Sequence, residues 1–84
     1  MNDIYTIAFA TTNGGDLYME TKVYTDKGLA MDALRGYAES IIEDNALDTD
    51  ADTLIAQHTT TYPTGVKVLT YNGEYMVELK NVKL

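Results

Sequence analysis

The chain contains no cysteine and no tryptophan, and it has one proline, Pro63, and one histidine, His58. Without cysteine it cannot form a disulfide bond, a zinc–thiolate site or a thiol nucleophile. No apolar run approaches the roughly 18 residues that a membrane-spanning helix needs. Residues 1–4 carry neither the basic nor the apolar stretch of a signal peptide. We therefore expect a cytoplasmic protein that does not enter a membrane.

Positive charge is also scarce. Six lysine and arginine side chains stand against 13 aspartate and glutamate side chains, so the formal net charge is −7. Such a surface repels phosphate and anionic lipid, and we expect no direct binding of nucleic acid or membranes. It would attract a basic protein surface, although a charge surplus of this size also serves simply to keep a protein soluble.

The length of 84 residues is enough for one domain, which we expect to cover residues 1–84. Residues 3–24 predict a first β-hairpin, because apolar and polar residues alternate on both sides of the turn-forming Asn-Gly-Gly at residues 13–15. A three-residue loop there would place Phe9 opposite Met19 and gather the more apolar sides of both strands on one face.

A second β-hairpin is predicted by Asn72-Gly73, the strongest short-range hairpin signal, between strands at residues 66–71 and 74–79. A two-residue turn would pair Lys67 with Glu78, whose opposite charges favour that register. It would also place Val66 and Val68 on the same face as Val77 and Leu79.

The region between the hairpins predicts two helices. Thr25 or Asp26 can cap the first, which would end near Asp44. Its apolar stripe has three- and four-residue spacing and consists of Ala30, Leu34, Tyr37, Ala38 and Ile41. A short second helix would cover residues 51–57, with Thr49 as its cap in a capping-box pattern.

The predicted fold class is therefore α+β, with the element order β-β-α-α-β-β. Two β-hairpins would form a four-stranded antiparallel sheet. One long helix would pack on one face, accompanied by a short second helix.

A calcium-binding loop is the first chemical interpretation to weigh. Asp48, Asp50 and Asp52 match the first, third and fifth positions of an EF-hand loop. Thr53 and Thr59 then stand where that loop needs a glycine and a bidentate glutamate. We therefore expect a solvated loop whose aspartates cap the short helix, with no metal and no cofactor.

His58 is the only histidine, and no second member of a catalytic dyad or triad can be named for it. The neighbouring threonines, residues 59–61, are typical of a strand edge. The glycines at residues 14 and 15 lack the helix and the lysine of a nucleotide-binding loop. We expect no catalytic residues and no enzymatic activity.

The predicted sheet leaves one face uncovered, and that face is not fully polar. Together with Ile4 and Ala8 it would carry Tyr18, Tyr24, Leu69, Tyr71 and Met76. Tyrosine and methionine are enriched at protein interfaces, although tyrosine also suits a solvated strand. The pattern indicates a docking face.

These observations predict a small, acidic, non-enzymatic protein-binding module. It would use the uncovered face, the acidic residues Asp44, Asp48, Asp50 and Asp52, or both. The composition suits an inhibitor of the phage type, which would occupy a basic surface on a nucleic-acid-handling or defence protein; this is a compositional analogy. The alternative is a homo-oligomeric accessory domain that self-associates through the tyrosine and methionine face.

Overall fold

The computed structural model describes residues 3–83. The elements are β1 (Asp3–Thr11), β2 (Tyr18–Tyr24), α1 (Lys27–Asp44), α2 (Ala51–His58), β3 (Thr59–Thr61), β4 (Lys67–Tyr71) and β5 (Tyr75–Lys83). The strands form one antiparallel sheet in the order β2-β1-β5-β4-β3. The α+β class is confirmed, but the sheet has five strands rather than four. The additional strand, β3, is the threonine run, which pairs with β4.

Helix α1 begins where the sequence predicts. The carboxylate of Asp26 accepts hydrogen bonds from the backbone amides of Gly28 (2.6 Å) and Leu29 (3.3 Å). These amides have no partner within the helix, so the cap stabilises its first turn. The buried side of α1 consists of Ala30, Leu34, Ala38 and Ile41, as the three- and four-residue spacing predicts.

Helix α2 is capped by Asp50 rather than by Thr49. The Asp50 carboxylate accepts a hydrogen bond of 2.7 Å from the backbone amide of Thr53, and this bond lowers the pKa of Asp50. Leu54, on the inner side of α2, is buried. Arg35 of α1 joins the two helices, because its Nε donates to Oδ1 of Asp52 at 3.0 Å.

Both hairpins differ from the predicted register by one residue. In the first, Phe9 pairs with Glu20 instead of Met19, because residues 12–17 separate the strands rather than a three-residue loop. In the second, Tyr71 pairs with Tyr75 across a three-residue connection, residues 72–74, instead of a two-residue turn.

The offset in the second hairpin has a local cause. Asn72 and Gly73 both have positive φ angles, 55° and 68°, as an Asn-Gly turn requires. The backbone amide of Glu74 donates to the carbonyl of Tyr71 at 3.0 Å and closes that turn, whereas the carbonyl of Glu74 accepts from the amide of Thr12, just after β1. Glu74 is therefore an extra residue outside the β4–β5 ladder. As a result, every later side chain of β5 has a different partner on β4 from the one predicted.

The core lies between the helices and one face of the sheet. Its sheet side consists of Ile7, Leu69, Tyr75, Val77 and Leu79, all buried. Leu69 takes the place predicted for Val68, because a shift of one residue moves alternate side chains to the opposite face.

Candidate protein-binding surface

The sheet face opposite the helices is the candidate site. We call it the open face; its side chains alternate with those of the core along four strands. It consists of Ile4, Thr6, Ala8 and Ala10 on β1, Met19, Thr21 and Val23 on β2, Val68 and Thr70 on β4, and Met76, Glu78, Lys80 and Val82 on β5. Both helices pack on the other side, so no helix or strand within residues 3–83 lies over it.

The open face is largely apolar and almost uncharged. One row across the sheet joins Met19, Ala10, Met76 and Thr70. The small side chains of β1, alanine and threonine, lie beside the central strand β5 and leave no ridge there. Exposure of Met19 (67%), Val23 (62%) and Met76 (42%) shows that large apolar groups face solvent.

Charge on the open face is limited to the central strand. Among the described strand residues, Glu78 and Lys80 are its only charged side chains, and they lie two positions apart on β5. Their signs are opposite, so the face as a whole is neutral. A neutral face on a chain of net charge −7 means that the acidic surplus lies elsewhere.

One corner of the open face is hollow. A shallow depression of about 310 Å³ lies between the end of β1 and the start of β5. Its lining residues include Ala10, Leu17, Thr70 and Met76. Leu17, in the connection between β1 and β2, is 66% exposed beside it. An apolar side chain from another molecule would contact apolar side chains in this depression.

The open face ends at an unpaired strand edge. Among residues 3–83, β2 pairs only with β1, so within this range no strand covers its outer edge along Tyr18–Tyr24. The opposite edge strand, β3, has only three residues. Long unpaired edges are templates for pairing with another chain, so the β2 edge is more prone to such pairing than the short β3 edge.

Four of the five predicted docking residues lie on the helix side of the sheet, so their placement on the uncovered face is wrong. Leu69 is fully buried in the core, and Tyr71 packs its ring edge-on against His58 at 5.4 Å. Tyr18 and Tyr24 alternate with the exposed residues of β2 and point toward α1. Of the five, only Met76 lies on the open face, because the one-residue offset places the other four side chains on the helix side of the sheet.

The tyrosines near β2 instead attach this strand to α1. Glu20 accepts hydrogen bonds from the hydroxyls of Tyr37 and Tyr18, the latter at 2.9 Å. These bonds lower the pKa of Glu20, and burial together with the same carboxylate raises the pKa of Tyr37. Phe9 stacks on Tyr37 with ring centroids 4.5 Å apart. The sequence offered no signal for this cluster, because Glu20 reads as a solvent-facing strand residue.

The predicted acidic residues lie at the end of α1 and in the connection to α2. Asp44 accepts from the Tyr75 hydroxyl at 3.2 Å, and Asp48 is exposed. Asp50 caps α2 and Asp52 pairs with Arg35, so both have structural contacts. Within the part of the chain that the structure describes, no three acidic or histidine side chains are arranged to hold a metal ion.

The acidic surplus belongs to the helical layer. Residues 26–58 hold eight carboxylate side chains against Lys27 and Arg35, so they account for −6 of the net charge of −7. The protein therefore has two different surfaces: an acidic helical layer and a neutral, apolar open face.

No helix in the described range is both long enough and apolar enough to cross a membrane. Comparison with protein families, with curated proteins and with solved structures gives no match for this chain. Its function has to follow from the chemistry of its own surfaces.

Proposed function

We propose that the protein is a non-enzymatic protein-binding module that docks through the open face. The observation that supports this most directly is the net-neutral, largely apolar face of a five-stranded sheet that has no covering layer among residues 3–83. A sheet normally buries one face and solvates the other with polar residues. Here eight of the 13 side chains on the uncovered face are apolar, which is typical of a sheet that receives a second layer from another molecule.

The dimensions of the open face suit a protein partner. Five strands at about 4.8 Å spacing extend about 20 Å across the sheet. The nine residues of β1 extend about 30 Å along it. The product of these two lengths is about 600 Å², which is below the roughly 800 Å² that each partner buries in a standard interface and is typical of smaller, transient interfaces. A broad sheet face suits another protein surface better than it suits a small molecule.

The negative charge of the helical layer favours a partner protein with a positively charged surface. Asp44, Asp48 and the neighbouring carboxylates produce a negative field beside the sheet, and such a field speeds the encounter with a positively charged protein. A protein that handles nucleic acid, including one with a role in defence, presents such a surface. In this scheme the carboxylates set the rate of association and the open face supplies the buried area.

Self-association is the second candidate, and the central strand favours it. Glu78 and Lys80 lie near the middle of the open face with opposite signs. A two-fold axis through this point would place Glu78 of one copy over Lys80 of the other, the reciprocal contact of a symmetric dimer. The acidic helical layers would then lie on the two outer sides, far from each other.

Site-specific photo-cross-linking tests the proposal. A photoreactive residue replaces Val23 on the open face in one variant and Leu29, an exposed residue of α1, in the control. We expect a defined cross-linked species from position 23 and none from position 29. A product with the mass of two copies indicates the dimer, and a heterologous product identifies the partner.

The identified complex is then rebuilt from purified proteins and its Kd is measured. Met76→Glu adds a charge to the open face, whereas Leu29→Glu adds the same charge to an exposed apolar site on α1; the two side chains are 42% and 56% exposed. We expect Met76→Glu to weaken the complex about tenfold or more, since burying an unpaired carboxylate is unfavourable. Equal cross-linking from both positions, or an unchanged Kd for Met76→Glu, would contradict docking through the open face.

A further inference from the structure

A groove lies on the helix side of the sheet, away from the open face. It has a volume of about 470 Å³ and lies where the start of α1 meets β1, β4, β5 and the turn before β4. Its apolar walls are Tyr5, Met31 and the buried Leu79. A volume of this size is within the range of small-molecule sites.

The groove has a charge opposite to that of the protein. Lys27, Lys67 and Lys83 line it, which are three of the six cationic side chains, and none of the 13 carboxylates is among its lining residues. The three lysines come from α1, β4 and β5, so only the tertiary structure brings them together. Asn81 adds an amide to the same wall.

This arrangement is unfavourable for the empty protein. Lys27 is the first residue of α1, where the helix dipole is positive, and the first turn contains no acidic residue within the helix. Three ammonium groups around one groove also repel one another. The Asp26 carboxylate already lies at the positive end of the helix dipole, so a bound anion would chiefly relieve the repulsion among the three lysines, and this is the physical reason to regard the cluster as a site.

The overall negative charge does not prevent anion binding here. Asp44, at the acidic end of α1, is 17 residues away from Lys27, about 26 Å along the helix axis. Charges in physiological salt are screened over about 8 Å, so those carboxylates act weakly at the groove. Two acidic residues adjoin the lysines of the groove: Asp26, which caps α1 beside Lys27, and Asp3, which pairs with Lys83 in the sheet.

We propose that this groove binds a small phosphate monoester with a flat, largely apolar body, of the size of a nucleoside monophosphate. Lysine ammonium groups act as point charges for phosphate. Tyr5 offers a ring face for stacking, and Met31 and Leu79 exclude water from the body of the ligand. The site is independent of the open face.

Titration followed by amide NMR spectra tests this inference. The probes are adenosine monophosphate, adenosine and inorganic phosphate, each added separately to the full chain. We expect saturable shifts at residues 65, 67 and 81 with the monophosphate, and weaker shifts with either half alone. Added salt should weaken binding, because the phosphate contacts are ionic.

Matched variants separate the groove from general charge. Lys67→Met and Lys80→Met remove the same charge, but Lys80 lies on the open face. We expect Lys67→Met to weaken binding about tenfold while Lys80→Met leaves it nearly unchanged, and Asp3→Asn to strengthen it. The same spectra show whether each variant is folded, and Lys83→Met replaces Lys67→Met if it is not. Shifts that never saturate, that spread over the whole surface, or that weaken equally in both lysine variants would overturn the proposal.

Discussion

Replacing Leu69 and Val68 separately by alanine tests the register on which the open face depends. In the structure Leu69 pairs with Val77 inside the core and is fully buried, whereas Val68 pairs with Glu78 on the open face. In the register offset by one residue, the two would exchange sides. Comparing the stabilities of the two alanine variants therefore shows which row of β4 side chains the helices cover.

The expected magnitudes follow from burial. Leu69→Ala removes a fully buried side chain and leaves a cavity, so it should cost about 3 kcal/mol of unfolding free energy. That is a large part of the roughly 4–13 kcal/mol expected for 84 residues. It should lower Tm by roughly 12–24 °C. Val68→Ala loses only strand propensity and partial burial, about 1 kcal/mol or less.

Urea denaturation followed by circular dichroism provides both free energies, and thermal melting gives Tm. Each measurement is repeated at several protein concentrations, so that any contribution from self-association appears as a concentration dependence. Equal losses for the two variants, or a larger loss for Val68→Ala in dilute protein, would refute the assignment of the open face.

Two further predictions concern α1 and its attachment to β2. Asp26→Ala should lower the unfolding free energy by about 1 kcal/mol, because the amides of Gly28 and Leu29 lose their partner; Asp48→Ala, which removes the same charge from an exposed loop, should change it little. Tyr37→Phe should make stability less sensitive to acid. The folded-state pKa of Glu20 lies below its unfolded value because Tyr37 donates to it, so this contribution is present above the usual carboxylate pKa of about 4 and disappears as the pH falls through the folded value. Denaturation series at neutral and acidic pH measure both variants, and an acid dependence unchanged in Tyr37→Phe would contradict the role given to this hydrogen bond.

Local signals were sufficient for helix α1 and for the conformation of the Asn72-Gly73 turn. The cap at Asp26, the end of α1 at Asp44 and the positive φ angles of the Asn72-Gly73 turn follow from residues within a few positions of each other. Local signals failed for the pairing. The length of a hairpin connection also depends on hydrogen bonds to distant parts of the chain, and the carbonyl of Glu74 accepts one from Thr12, the residue just after β1.

Spacing and composition along the chain are enough to predict the α+β class, the buried stripe of α1 and the acidic character of the helical segment. Strand pairing and packing, in contrast, set which row of side chains remains uncovered and which lysines share a groove. Strand side chains alternate with a period of two, so one extra residue at a turn exchanges the two faces while the local pattern stays the same. Lys27, Lys67 and Lys83 meet only because the sheet brings β4 and β5 beside the start of α1.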